Sequence, residues 1–294
     1  MHRSLFASGY LIWMIIFTVL PIILVAYYAL TDSTGAFTIN NFKSFMDSNY
    51  EKNQIYAGLG PEYATLIKPG TVNVDILLYS LSMAFKCTAI CLLVAYPVAY
   101  FIADRNMKLG PVIIVLFIIP MWMNFLLRTI AWMSILEDNG LLNTLRGMMG
   151  LERKSYLYNN TAVLLGMIYN FLPFMIFPIY TSLAKMDYRL IEASYDLGAN
   201  PSTTFIKVVL PTSIPGIISG ITMVFMPSVT TFFIPRILGG GNTMMFGDLI
   251  ENKFLTEGNW NSGSALSLIM MVLIIISLGI LRKVDPEGEG GSFL

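Results

Sequence analysis

KMDYRLIEASYDLGANPSTTFIKVVLPT, residues 185–212, lies between two long apolar stretches and is the most informative segment of the chain. Asp187 is placed to cap a helix over about Tyr188–Leu197. Gly198 fits the left-handed position that ends a helix, and Pro201 blocks its continuation. Ser202 is placed to cap a second short helix reaching about Val209 and closed by Pro211. In the first helix Glu192 and Asp196 are four residues apart and repel, at a cost of about a few tenths of a kcal/mol. Ala193 and Gly198 remove bulk, and Leu190, Ala193 and Leu197 form an apolar stripe with Ile191 and Tyr195 beside it. Such a helix fits the cleft of another protein, where basic groups would meet its acids. It equally fits a membrane surface, with its acids favoured by the helix N-terminus. The residues alone leave both uses open.

The stretches on either side belong to a chain of 294 residues that is 55% hydrophobic and only 12% charged, with a mean hydropathy of +0.67. Soluble domains carry about 25% charged residues, so the composition points to lipid as the solvent. A crossing helix needs roughly 20 apolar residues. Six segments qualify: Ala7–Leu30, Ile76–Ala103, Pro111–Leu136, Thr161–Ala184, Ser213–Leu238 and Gly263–Leu281. The first is longer than the roughly 7–15 apolar residues of a signal-peptide core, so it reads as an uncleaved span. The short charged turn Asp104–Lys108 makes the second and third an antiparallel pair. The expectation is an all-α, polytopic membrane protein with six transmembrane helices in one domain, its 185–212 loop on the cytoplasmic side. Basic residues in the flanking segments favour that orientation, with both termini cytoplasmic. Arg3, Arg105, Lys108, Lys185, Arg189, Lys207, Arg282 and Lys283 fall inside. Lys43, Lys52, Lys68, Arg146, Arg153, Lys154 and Lys253 spread over longer outer loops.

No Asp or Glu falls inside a predicted span, which argues against a proton-coupled carrier, since such carriers rely on intramembrane acids. Arg128 and Arg236 lie near outer span ends, where they can snorkel to the interface. Lys86 lies deeper and needs a backbone carbonyl or a polar neighbour. The sequence holds no phosphate-binding G-x-x-x-x-G-K-[ST] loop. Its lone histidine, His2, builds neither a zinc site nor a Ser/His/Asp set. Zero formal net charge offers no global field for nucleic acid. Cys87 and Cys91 share one helical face and read as small packing residues. The chain looks like a channel-former with no catalytic role.

Glu192, Ala193, Ser194, Gly198, Val208, Leu210 and Pro211 fall on the signature E-A-A-x3-G-x9-I-x-L-P, with serine for the second alanine and valine for isoleucine. On those residues the chain resembles the permease subunits of bacterial ABC importers. Tyr96–Phe101, Pro120–Arg128, Leu172–Met175, Asp196–Ala199 and Pro215–Gly220 extend the likeness to the spermidine/putrescine permease family. The resemblance implies the type I ABC importer (MetI-like) permease fold in a bacterial cytoplasmic membrane. It implies a second permease subunit, two ATPase subunits that bind ATP and magnesium, and an extracytoplasmic substrate-binding protein, with no cofactor in this chain. It also makes the 185–212 loop a coupling helix docked in a groove of the ATPase. Glu192, Ala193, Ser194, Asp196, Leu197, Gly198, Val208, Leu210 and Pro211 are its expected coupling residues. The alternatives are a permease of the same fold for another small solute, or an ATP-independent channel or carrier.

Pathway candidates follow from polar and aromatic residues within spans. Pro227, near the middle of the fifth, removes a backbone hydrogen bond and is expected to kink it. Thr231 lies beyond it, and the bulky Phe232 and Phe233 could close an outer gate, a role the resemblance supports, while the residues alone allow them equally to face lipid. Trp122, Asn124, Tyr169 and Asn170 are further candidates. Gly216 and Gly220 form a small-residue face suited to close helix contact.

Overall fold

The computed structural model describes residues 10, 12–47, 49, 70–104 and 107–284, and among these it is helical, without a strand. The helices are α1 (Ile12–Ala29), α2 (Asn40–Met46), α3 (Val72–Ile102), α4 (Gly110–Trp122), α5 (Phe125–Leu136) and α6 (Leu141–Met148). Then follow α7 (Asn160–Lys185), α8 (Arg189–Asp196), α9 (Pro201–Thr230), α10 (Phe233–Leu238), α11 (Phe246–Leu255) and α12 (Trp260–Val284). Helices α1, α3, α7, α9 and α12 are each long and apolar enough to cross a bilayer, and α4 with α5 and α6 forms a sixth candidate bent by 95°. Residues 7–9 of the first predicted span lie outside the described residues, as do Arg3, Lys52, Lys68 and Arg105, which entered the orientation argument.

The chain divides into two compact units. One comprises the chain up to Leu78 together with Phe246–Ile275. In it the Ala29 carbonyl, at the end of α1 and without a partner in its own helix, and the Thr31 carbonyl just beyond it are taken up by side-chain amides. Asn41 Nδ2 donates to Ala29 O at 2.9 Å and Thr31 O at 2.8 Å, and Asn261 Nδ2 donates to Thr31 O at 2.6 Å. The same unit holds edge-to-face contacts between Phe45 and Phe246 and between Phe254 and Trp260.

The other unit comprises Tyr79–Met245 and the chain from Ile276. Its core begins on α3, where Met83, Cys87, Cys91, Ala95 and Ala99 recur every fourth residue and are all buried. Small residues at that spacing make one narrow face of a helix. The two thiols belong to this face and are free; Ser228 Oγ donates to Cys87 Sγ at 3.8 Å. Val163, Met167, Met175, Ile176 and Ile179 of α7 complete the same core. Helix α9 lies along α7 at close range because of Gly216 and Gly220. A Cβ at Gly216 would come within 2.6 Å of Ser182 Cβ and 2.7 Å of Pro178 O, and one at Gly220 within 2.7 Å of Met175 Sδ.

Three boundaries differ from the sequence expectation, each at a proline. The third predicted span is not straight. Pro120 sits in a tight 3₁₀ turn, Ile119–Trp122, Met123 is extended, and the Asn124 side chain accepts the Leu126 N–H at 2.8 Å to start α5 in a new direction. Pro211 does not close a separate short helix. The Leu210 N–H bonds Phe205 O, five residues back, in a wide π turn over Phe205–Val209, and this carries the helix past a proline that has no N–H to give. The loop helix and the fifth span are therefore one rod, Pro201–Thr230. That rod ends at Thr231 and not at Leu238, and Pro227 stays inside it. The breaker is Pro235, which cannot bond the Thr231 carbonyl and would clash with it in a continuous helix. Thr231 turns to extended backbone, ψ 138°, and α10 starts afresh at Phe233.

Gly216→Val places its first added carbon against backbone and should destabilise the α7–α9 pair by about 1–3 kcal/mol. A lowered unfolding temperature in detergent is the expected result, with Gly279→Ala, where nothing lies within 4 Å, as the unaffected control. Equal melting of the two variants would contradict the packing described.

Candidate functional site

Helix α8 lies between the C-terminal end of α7 and the N-terminal end of α9, and both of its ends are fixed by local hydrogen bonds. At its start the Asp187 carboxylate accepts the Arg189 N–H at 3.0 Å. At its end Gly198 takes φ +81°, the Gly198 N–H bonds Tyr195 O at 2.9 Å and the Ala199 N–H bonds Ser194 O at 3.0 Å. This paired arrangement satisfies carbonyls the helix end leaves open and needs a residue at ease with positive φ. The next helix is capped by Asn200, whose Oδ1 accepts the Thr203 N–H at 2.8 Å, with Pro201 in the first turn. Ser202, the cap expected from sequence, is thus already inside the helix.

Ser194 does more than replace an alanine. Its hydroxyl donates to Ile191 O and shares a 2.8 Å hydrogen bond with the buried Thr204 hydroxyl, tying α8 to the base of α9. The same base is held to α3: Phe205 stands edge-on to Tyr96 and Tyr100, with ring centroids 5.8 and 5.4 Å away, and Tyr96 Oη shares a 3.0 Å hydrogen bond with Ser213 Oγ. Neither Thr204 nor Tyr96 drew a role from the sequence, because polar contacts between distant segments leave no periodic signal.

With its ends tied, α8 buries none of its own residues. Glu192, Ala193 and Asp196 are exposed, Leu190 is 47% exposed and Leu197 89%. An apolar side chain at 89% exposure has no packing role within this chain. Val208 and Leu210 are half-buried and Pro211 exposed, on the rod that leads into the membrane and not on α8. Between α8 and the C-terminal ends of α3 and α7 is a cavity of about 700 Å³ whose lining includes Tyr100, Asp104, Asp187, Arg189, Glu192 and Tyr195. Three carboxylates against one guanidinium leave it negative.

The pathway candidates do not form one cluster. Trp122, 87% exposed, and Asn124, also exposed, sit at the α4–α5 bend, where Asn124 serves as a helix cap. Tyr169 stands edge-on to Trp132 at 5.2 Å, whereas Asn170 is fully buried and donates to Gly166 O at 2.9 Å. Pro227 is half-buried within α9, Thr231 is buried at its end, and the half-buried Phe232 and Phe233 rings lie 4.7 Å apart beyond it. Helix α10, which carries Phe233, packs on both α5 and α7. Arg128 does not snorkel: it is 6% exposed, with Nε and Nη1 unpartnered and the Phe125 ring 6.0 Å away. Lys86 stands exposed on α3 with no hydrogen bond or ion pair among the described residues.

Residues 95–287 match the family described as binding-protein-dependent transport system inner membrane component. The spermidine/putrescine transport system permease protein PotB of Haemophilus influenzae is 34% identical over 275 residues, covering 93% of this chain and 90% of that protein. PotB of Escherichia coli is 34% identical over 218 residues, 74% of this chain and 78% of that protein. The crystal structure of a bacterial ABC transporter that imports the acidic polysaccharide alginate contains a chain that superposes with a TM-score of 0.70 at 14% identity, covering 96% of each chain. At that identity the likeness concerns the fold alone.

Ser194→Ala removes one hydrogen bond worth about 1 kcal/mol, so amides of residues 189–199 should exchange with deuterium about fivefold faster. Unchanged exchange there would remove the Ser194–Thr204 contact as the tie between α8 and α9.

Proposed function

The chain belongs to the binding-protein-dependent transport system inner membrane components, and from that premise we propose that it is the permease subunit of an ATP-binding-cassette importer that carries spermidine and putrescine into the cell. It is a multi-pass component of the cytoplasmic membrane. In this reading both termini are cytoplasmic. The chain pairs with a second, similar permease subunit and receives substrate from an extracytoplasmic binding protein. ATP and its magnesium ion are held by two partner ATPase subunits.

The single observation that carries the coupling part is an exposed amphipathic helix tied to a membrane rod. Glu192, Ala193, Asp196 and Leu197 are presented outward while Ser194 faces Thr204. Docked in an ATPase groove, α8 takes up the closing motion of the nucleotide-bound dimer. Gly198 and Asn200 keep the turn from absorbing it, and the continuous helix through Val208, Leu210 and Pro211 delivers it to the span. ATP binding thereby favours the outward-open arrangement and hydrolysis restores the inward one.

The polyamine part rests on the 34% identity to PotB over nearly the whole chain. With no carboxylate in the apolar interiors of its helices, this subunit offers a cation aromatic faces, worth about 0.5–2 kcal/mol each. Tyr169, Phe232 and Phe233 supply such faces, with Trp122, Asn124 and Asn170 as polar or aromatic neighbours. Pro227 and Thr231 lead to the break that sets the two phenylalanines. Weak holding suits a subunit that must release what a binding protein delivers.

The test is uptake of labelled spermidine and putrescine into vesicles holding the assembled complex. Uptake should require ATP, and Glu192→Lys with Asp196→Lys should lower both uptake and recovery of the ATPase by about tenfold or more, as expected for charge reversal at a docked surface. Flux without the ATPase would replace this reading with that of a carrier, and ATP-driven uptake of other solutes but not polyamines would overturn the substrate. Phe232→Ala with Phe233→Ala should raise ATP hydrolysis in the absence of substrate; unchanged hydrolysis would remove the two rings as a gate.

A further inference from the structure

Lys86 lies in the middle of α3, fourteen residues from Val72 and sixteen from Ile102. At 1.5 Å per residue it is about 21 and 24 Å from the two ends. With a hydrocarbon core about 30 Å thick, that places it deep within the bilayer, beyond the reach of a snorkelling side chain. The buried stripe of α3 passes through its neighbour Cys87, so Lys86 is turned away from the chain's own core. Around it on the same side are Ser82, exposed, Phe85, 70% exposed, and Leu93, 74% exposed. This face is apolar apart from one hydroxyl and one ammonium. A lysine facing lipid at that depth is strongly disfavoured, and intramembrane charges face protein or water and pair.

The remaining charges of the chain sharpen the argument. Arg128 is a second cation of the membrane region with unpartnered nitrogens. The apolar interiors of the crossing helices contain no Asp or Glu; Asp75 stands in the first turn of α3. Among the described residues of this chain no acid is placed to pair with Lys86. A polyammonium cargo cannot supply one either, since it carries the same sign as Lys86.

We propose that the exposed α3 face bearing Ser82, Phe85, Lys86 and Leu93 is covered by the second permease subunit, which sets an intramembrane carboxylate against the Lys86 ammonium. The inference rests on the two-permease reading given above and adds to it the face used and the chemistry the partner must bring. Charge complementarity names the occupant. Lipid acyl chains offer no anion, and a water-filled path for polyamines would gain nothing from a fixed positive charge.

The assembled complex tests this, with a tagged chain, the second permease subunit and the ATPase produced together. Lys86→Met keeps length and apolar contact but removes the charge. It should lower recovery of the second subunit by about tenfold, equivalent to about 1.4 kcal/mol, while this chain's own level in the membrane stays unchanged. Lys86→Arg should restore recovery. Benzoylphenylalanine introduced at position 86 should crosslink to the second permease subunit. Crosslinking to lipid alone, or normal recovery of the partner with Lys86→Met, would overturn the inference and leave the transport reading intact. Wild-type chain recovered without any second permease subunit would overturn the two-permease reading and this inference together.

Discussion

Gly216 and Gly220 let α9 lie close against α7, and the loop that carries α8 takes its position from that contact. A bilayer gives no hydrophobic reward for pressing one apolar helix on another. What holds such helices is close dispersion contact, which small residues permit and large ones prevent. The Pro178 carbonyl and the Ser182 Cβ approach where any side chain on Gly216 would stand. Once α7 and α9 are fixed, the ends that face the loop are fixed too, and the fifteen residues between them, 186–200, can only form a short, tightly turned structure.

That structure is stiff for its size. The left-handed Gly198, the paired hydrogen bonds around it and the Asn200 cap close the turn after α8. The Ser194–Thr204 hydrogen bond spans the turn, and Phe205 wedged by Tyr96 and Tyr100 joins it to α3. A short helix stays presented to solvent only if it neither folds into its own chain nor flexes on its tether. No α8 residue is buried, with only Ile191 and Ser194 half-covered, and the ties at its ends are dense; these two features meet the two demands separately.

The sequence disclosed the parts of this that depend on local chemistry. Gly198 could be read because positive φ has few takers, and the crossing helices because lipid demands long apolar runs. Glu192 and Asp196 could be read as outward-facing because nothing in an apolar chain would bury them as a pair. Other features resisted. Pro211 reads as a stop, yet a single wide turn lets the helix pass it, and the rod ends short of Leu238 at Pro235, to which the sequence reading gives no role. Proline announces a missing hydrogen bond but not which neighbouring carbonyl will give way. The bend at Met123 and Asn124 has its signals in Pro120 and Asn124, but the long apolar stretch around them reads as one straight span. The partners of Ser194 and Tyr96 were hidden for the opposite reason, being set by tertiary approach across 10 and 117 residues.

The π turn at Phe205–Val209 has a consequence for the angular setting of the whole rod. In an uninterrupted α-helix Thr204 and Gly216 would point about 120° apart around the axis. The turn winds in one residue more than an α-helical turn holds, which takes back about 100° and leaves the two directions about 20° apart. The hydroxyl that fastens α8 and the glycine that meets α7 thus lie along one edge of the rod. Removing a single residue from that turn would leave both contacts chemically intact and aim them at different sides of the molecule.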